Sequence, residues 1–107
     1  MGISKQRIQR ICLIDSAIQS LHKPTKEIIR IHVCRGLSLS DDGLCKSTIE
    51  KDLFFMKAEF DAPIECNRTN NEYSYSDPDY NFSHAFLRYW SAYLILPNAI
   101  NEIIYAD

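Results

Sequence analysis

Ser47-Thr48-Ile49-Glu50-Lys51-Asp52-Leu53-Phe54-Phe55-Met56-Lys57-Ala58-Glu59-Phe60-Asp61-Ala62-Pro63-Ile64-Glu65 is the stretch on which the fold turns. Ile49, Leu53, Met56 and Phe60 recur at steps of four, three and four, which sets them on one face of an α-helix. Lys46, Ser47, Glu50, Lys51 and Phe54 fall on the other side. Pro63 forbids continuation, because it lacks an amide hydrogen and its ring collides with the preceding turn. Beyond it the pattern predicts two short strands, Ile64 to Asn67 and Glu72 to Tyr75, around Arg68-Thr69-Asn70-Asn71. Asparagine at such a turn takes the left-handed conformation that a hairpin requires.

Working outward, the helix begins near Leu44 to Lys46 and is the third of the chain. Lys5 to Leu21 reads as the first, with Ile8, Ile11, Ile14 or Asp15, Ile18 and Leu21 on one stripe and Ser4 as its cap. Lys23-Pro24 ends it, since the residue before proline is pushed out of helical geometry. Thr25 then caps a second helix, with Glu27 in its positive first turn, Ile28, Ile29, Ile31 or His32 and Val33 as its buried side, and Arg35-Gly36 at its close. Leu37 to Gly43 is the connection, and Asp41-Asp42-Gly43 fits a turn. Ser76-Asp77-Pro78-Asp79 is a second break, Ser83 caps a helix to about Leu96, and Pro97-Asn98 starts a final short helix to Tyr105. The expected fold is mainly α with a small β-hairpin: three helices and a two-stranded wing over residues 1–80, then a helical extension over 81–107.

With 46% hydrophobic and 24% charged residues among 107, the chain is expected to fold as one small globular domain with an appendage. Tyr89 to Leu96, the longest nearly apolar stretch, is too short to span a bilayer, and the amino terminus lacks the order of a secretory signal. Cys12, Cys34, Cys45 and Cys66 lie far apart without a Cys-x-x-Cys pair, so neither a zinc site nor a disulfide framework is expected and a reducing cytoplasm suits the chain. The net charge of -2 is unevenly spread: Met1 to Arg68 holds 11 basic against 9 acidic residues, whereas Thr69 to Asp107 holds one against five. Positive charge therefore gathers in the first two thirds of the chain.

The run Leu44-Cys45-Lys46-Ser47-Thr48-Ile49-Glu50-Lys51-Asp52-Leu53, with Ala62-Pro63-Ile64-Glu65, Tyr73-Ser74-Tyr75 and Asp77-Pro78-Asp79-Tyr80-Asn81-Phe82, resembles the winged helix-turn-helix of WYL-domain and DeoR-like bacterial transcriptional regulators. The resemblance covers roughly residues 5 to 82 and implies a recognition helix for the major groove and a hairpin wing for the neighbouring backbone. Cys45 stands where a serine often begins that helix. Ser47 and Glu50 replace residues more often Arg, and Gln or Arg, which removes positive charge from the reading face. The family's effector-sensing domain, with its Trp-Tyr-Leu signature, has no counterpart here, so no effector response is implied.

On this reading Lys46, Ser47, Thr48 and Lys51 are candidates for groove contact, with Lys51 donating to guanine and Glu50 accepting from the exocyclic amine of cytosine. The same residues also fit an ordinary solvated helix face. Asp52 would be repelled by phosphate, so a structural bond to a basic side chain or a backbone amide is expected. Arg68, Thr69 and Asn70 suit a phosphate or minor-groove contact, and equally a well-made hairpin turn. Lys5, Arg7 and Arg10 are candidates for further phosphate contacts, or simply solubilising charge. About four to six contacts per copy imply a log-log salt slope near -4 to -5.

Nothing in the chain assembles a catalytic constellation: Ser83 and His84 are adjacent without an orienting group, and three glycines make no phosphate loop. No enzyme activity, metal or cofactor is expected. Phe82, Phe86, Leu87, Tyr89, Trp90, Tyr93, Leu94 and Leu96 form an aromatic tail, with Ile100, Ile103, Ile104 and Tyr105 beyond it. A two-fold homodimer through the C-terminal helix buries such a surface and presents two recognition helices to a palindromic site. Completion of a monomer's own core, and the stub of a longer protein, are the other readings of that tail. The expected function is sequence-specific binding of double-stranded DNA by a bacterial or phage-like transcription regulator. The alternative is a winged-helix protein-interaction module whose acidic, aromatic tail is the contact surface.

Overall fold

The computed structural model describes residues 4–94, with side chains through Tyr89, and consists there of four helices and one two-stranded antiparallel sheet. Helix α1 spans Lys5–Ser20 and opens on Ser4, whose hydroxyl accepts from the Arg7 amide at 3.1 Å. Helix α2 spans Lys26–Gly36, and the Thr25 hydroxyl accepts from the Ile28 amide at 3.3 Å. Helix α3 spans Lys46–Glu59. Strands β1 (Ile64–Asn67) and β2 (Glu72–Tyr75) pair with Ile64 opposite Tyr75 and Asn67 opposite Glu72. Helix α4 spans Phe82–Leu94. The final helix expected from Pro97 to Tyr105, and the end of α4 expected at Leu96, lie outside the described residues.

Ile11, Ile14, Ala17 and Ile18 of α1, Ile29 and Val33 of α2, and Ile49, Leu53, Met56 and Phe60 around α3 are buried together. The apolar stripe anticipated for α3 is thus the face it buries. In α2 the stripe is turned from the expected one. Ile28 is 47% exposed, while Arg30 and Cys34 are buried. Arg30 is drawn inward because its guanidinium satisfies carbonyls of the following connection, a demand that apolar periodicity does not encode.

One helix end agrees with expectation and one differs. α2 closes at Gly36 as expected, but the left-handed residue beyond it is Ser38 (φ 61°) and not the glycine. Gly36 serves close approach instead: a Cβ there would stand 2.6 Å from Leu13 Cδ2 of α1. At the start of α4 the cap is Asn81, whose Oδ1 accepts from the His84 amide at 3.0 Å, and Ser83 lies inside the first turn. Asparagine caps as well as serine, and starting at Phe82 sends that ring into the core.

The hairpin does not stand alone. The Tyr73 amide donates to the Pro24 carbonyl at 2.8 Å and Thr25 bridges antiparallel to Glu72, so β2 lies between β1 and the segment leading into α2. Tyr75 reaches α1, where its hydroxyl donates to Asp15 at 2.6 Å. Burial and that hydrogen bond push the phenol up from its ordinary value. Phe60, at the end of α3, meets Phe82, Phe86 and Tyr89 of α4 at ring-centroid distances of 5.5, 5.9 and 4.8 Å. The first turns of α4 therefore share the core of α1 to α3. No helix among the described residues is long and apolar enough to cross a membrane.

Candidate nucleic-acid interface

With Ile49, Leu53 and Met56 held in the core, helical geometry leaves Ser47, Lys51 and Phe54 on the opposite ridge, and all three are exposed. Neither Lys46 nor Lys51 makes a salt bridge among the described residues. Lys46 and the turn residues Asn70 and Asn71 line one groove of about 410 Å³ with Thr25, Lys26, Glu27 and Tyr73. Ser47, Glu50, Lys51, Phe54 and Phe55 line a second, with Arg7 at its edge.

The long connection from α2 to α3 is fixed by two arginines of α2. Arg30 donates to the Leu44 carbonyl at 2.9 Å, to the Asp41 carbonyl, and to both oxygens of Glu27 at 3.0 and 2.6 Å. Arg35 grips the Asp41 carboxylate at 3.1 and 3.0 Å and holds it below the usual carboxylate range. Bidentate pairing of this kind carries geometric specificity, and here it orients the residues that lead into α3.

Cys45 caps α3 without a bond from its side chain to a first-turn amide. Its sulfur lies 3.0 Å from Ser47 Oγ and 3.3 Å from Thr48 Oγ1. Hydrogen bonding from Ser47 first, then Thr48, brings the thiol down to about 6, so a thiolate stands at the head of the helix at neutral pH. Thr48 is half-buried, turned from the ridge toward Cys45. Glu50 is occupied by Lys26 at 2.5 Å, and that bond lowers the Glu50 carboxyl and raises the Lys26 ammonium.

Arg7 and Arg10 converge on Asp52, which is fully buried. Arg7 Nε reaches Oδ1 at 3.0 Å, while Arg10 reaches Oδ2 at 2.5 Å and Oδ1 at 3.2 Å. Asp52 thus makes the structural bond expected of it, and its single negative charge is shared between the two arginines. At the hairpin turn Arg68 and Thr69 are exposed. The Thr69 amide donates to Asn67 Oδ1 at 2.9 Å, the Glu72 amide to Asn70 Oδ1 at 3.2 Å, and Asn71 is left-handed at φ 59°. The carbonyl of Asn70 is spent on the turn, which leaves its amide nitrogen for other contacts.

Helix and hairpin thus bring Lys46 together with Asn70, and Ser47 with Glu50 and Lys51, whereas Thr48, Arg7 and Arg10 point into interactions of the fold. Tyr73, Arg30 and Phe54 earn no place in a reading by charge. Tyr73, opposite Cys66 in the hairpin register, enters the groove beside Lys46, and nothing local announces Arg30. Among the described residues no three His, Cys, Asp or Glu side chains stand close enough to hold a metal ion. Comparison with family models, curated proteins and solved structures found no match to this chain.

Proposed function

We propose that this chain is a sequence-specific binder of double-stranded DNA, a transcriptional regulator built as a winged helix-turn-helix. Helix α3 enters the major groove and the β1–β2 hairpin lies on the backbone. The observation that carries the reading is the groove in which Lys46, at the head of α3, faces Asn70 and Asn71 of the hairpin turn. One side of the molecule then offers a helix start, free lysines and a polar turn at once. The chain order of helix, bridged residue, helix, helix and hairpin supports the same reading. Lys51 and Lys46 supply groove and phosphate contact, Ser47 reads a base edge, and Arg68 neutralises backbone charge at the turn, while Glu50 is held by Lys26. Two copies, joined through α4, suit a palindromic site in a reducing cytoplasm.

Selection of bound duplexes from a random pool tests the reading. A recurring sequence is expected, and Lys46→Ala with Lys51→Ala in one chain reduces affinity for it at least tenfold. Failure to enrich any sequence, with a folded protein, overturns it. A second reading, a protein-docking module, is favoured by the exposed Phe54 beside Phe55 and by the Lys26–Glu50 pair, which takes one cation out of use. Under that reading the double lysine variant leaves partner binding intact.

A further inference from the structure

The ridge of α3 carries a side chain that the contacts above leave unused. Phe54 is 71% exposed and stands one turn beyond Lys51 and Glu50 and two beyond Ser47. It shares with them, Arg7 and Phe55 a shallow concavity of about 400 Å³. Its neighbour Phe55 is fixed: the Arg7 guanidinium covers that ring at 4.7 Å, and Phe60 and Tyr89 meet it edge-on at 5.8 and 6.3 Å. A single exposed apolar residue needs no explanation. One that shares a concavity with the held ring of Phe55 and with Lys51, a lysine that makes no salt bridge among the described residues, does.

We propose that Phe54 is a specificity-determining residue that packs on the 5-methyl group of a thymine in the major groove. The proposal rests on the duplex-binding reading given above. The thymine methyl is the apolar projection among the base edges of that groove, and a phenyl ring, having no hydrogen bond to offer, discriminates by burying it. Seven residues of helix separate Phe54 from Ser47 by ~10 Å, roughly three base-pair steps. The ring therefore reads a position distinct from that of the helix start. A protein groove is the weaker fit, because the apolar surface is one ring and the edge of another, far below the area of a stable interface. The other large apolar residues exposed among the described ones, Ile28, Leu39 and Leu87, belong to α2, the connection and α4.

The test uses the full chain and duplexes it selects from a random pool, each thymine replaced in turn by deoxyuridine, which removes only the methyl. One replacement is expected to weaken binding roughly fourfold, the effect of exposing one methyl group. Phe54→Ala, with an unchanged circular dichroism spectrum, weakens binding to the thymine duplex at least as much and binds both duplexes equally. Phe54→Leu restores part of the difference. Binding that depends on Lys46 and Lys51 but ignores every deoxyuridine overturns this inference alone, as does discrimination that survives in Phe54→Ala. Absence of any selected duplex overturns it together with the reading beneath it. Unchanged duplex affinity of Phe54→Ala with loss of a protein partner assigns the ring to a protein contact and overturns it too.

Discussion

Asp52 has no exposed surface, yet it carries a charge that two arginines of α1 compensate. Removing one partner of a buried pair costs most when the remaining charge has no water to turn to. Arg7 and Arg10 keep 31% and 17% of their side-chain surface, so Asp52→Ala is expected to cost about 2–3 kcal/mol in urea denaturation. A change under about 0.5 kcal/mol would mean that the α1–α3 pairing is not what seats α3. Cys45 gives a prediction in pH. Its thiol is lowered to about 6, so the rate of alkylation at this residue by iodoacetamide, followed by mass spectrometry, rises with a midpoint near that pH. Because the folded value lies below the ordinary one, the charged form stabilises the folded state above the ordinary thiol range. That contribution is lost as pH falls through about 6. The charge itself opposes phosphate, so duplex affinity is expected to increase over the same descent in the wild type and stay flat in Cys45→Ser. An alkylation midpoint near that of a free thiol would remove both expectations.

At the scale of elements, the hairpin depends on a backbone conformation that costs an ordinary L-residue about 1–2 kcal/mol and that asparagine tolerates. Asn71, at φ 59°, is the residue concerned. Asn71→Ala is therefore expected to destabilise by about 1 kcal/mol and Asn71→Gly to be nearly neutral, both by chemical denaturation. Equal loss in the two variants would mean that the asparagine side chain, not the backbone, holds the turn. The two strands and the buried face of α3 were legible in the sequence, since each is a short-range pattern: alternation around an Asn-rich turn, and steps of three and four through Ile49, Leu53, Met56 and Phe60. Arg30 was not legible, because its burial is set by carbonyls 11 and 14 residues away. Gly36 reads locally as a helix stop, and only the arrival of Leu13 from α1 reveals that it makes room. Of the candidate site, the outward ridge of α3 follows from the same periodicity that defines its core face. The diversion of Arg7 and Arg10 to Asp52 spans 45 and 42 residues and has no local signature.

For the whole molecule, the charge that remains free after folding sets how steeply duplex binding responds to salt. Arg7 and Arg10 are drawn to Asp52 and share its single negative charge, and Lys26 is paired one to one with Glu50. Lys46, Lys51 and Arg68 are left on the proposed face, three cations instead of the larger number that the sequence suggests. Each neutralised phosphate contributes about -0.9 to the log-log slope, so one copy is expected to give about -3 and a two-fold dimer about -5 to -6. Oligomeric state and slope are thus linked observables. Leu87, 59% exposed on α4, marks the described part of the surface through which two copies would join. Sedimentation equilibrium at tens of micromolar, paired with fluorescence-anisotropy titrations between low and moderate salt, measures both. A dimer with the steeper slope and a footprint covering two half-sites about 10 base pairs apart is the expected result. A monomer at those concentrations removes the joined-copy arrangement while leaving a slope of about -3 for a single domain, and a slope near zero removes the duplex itself.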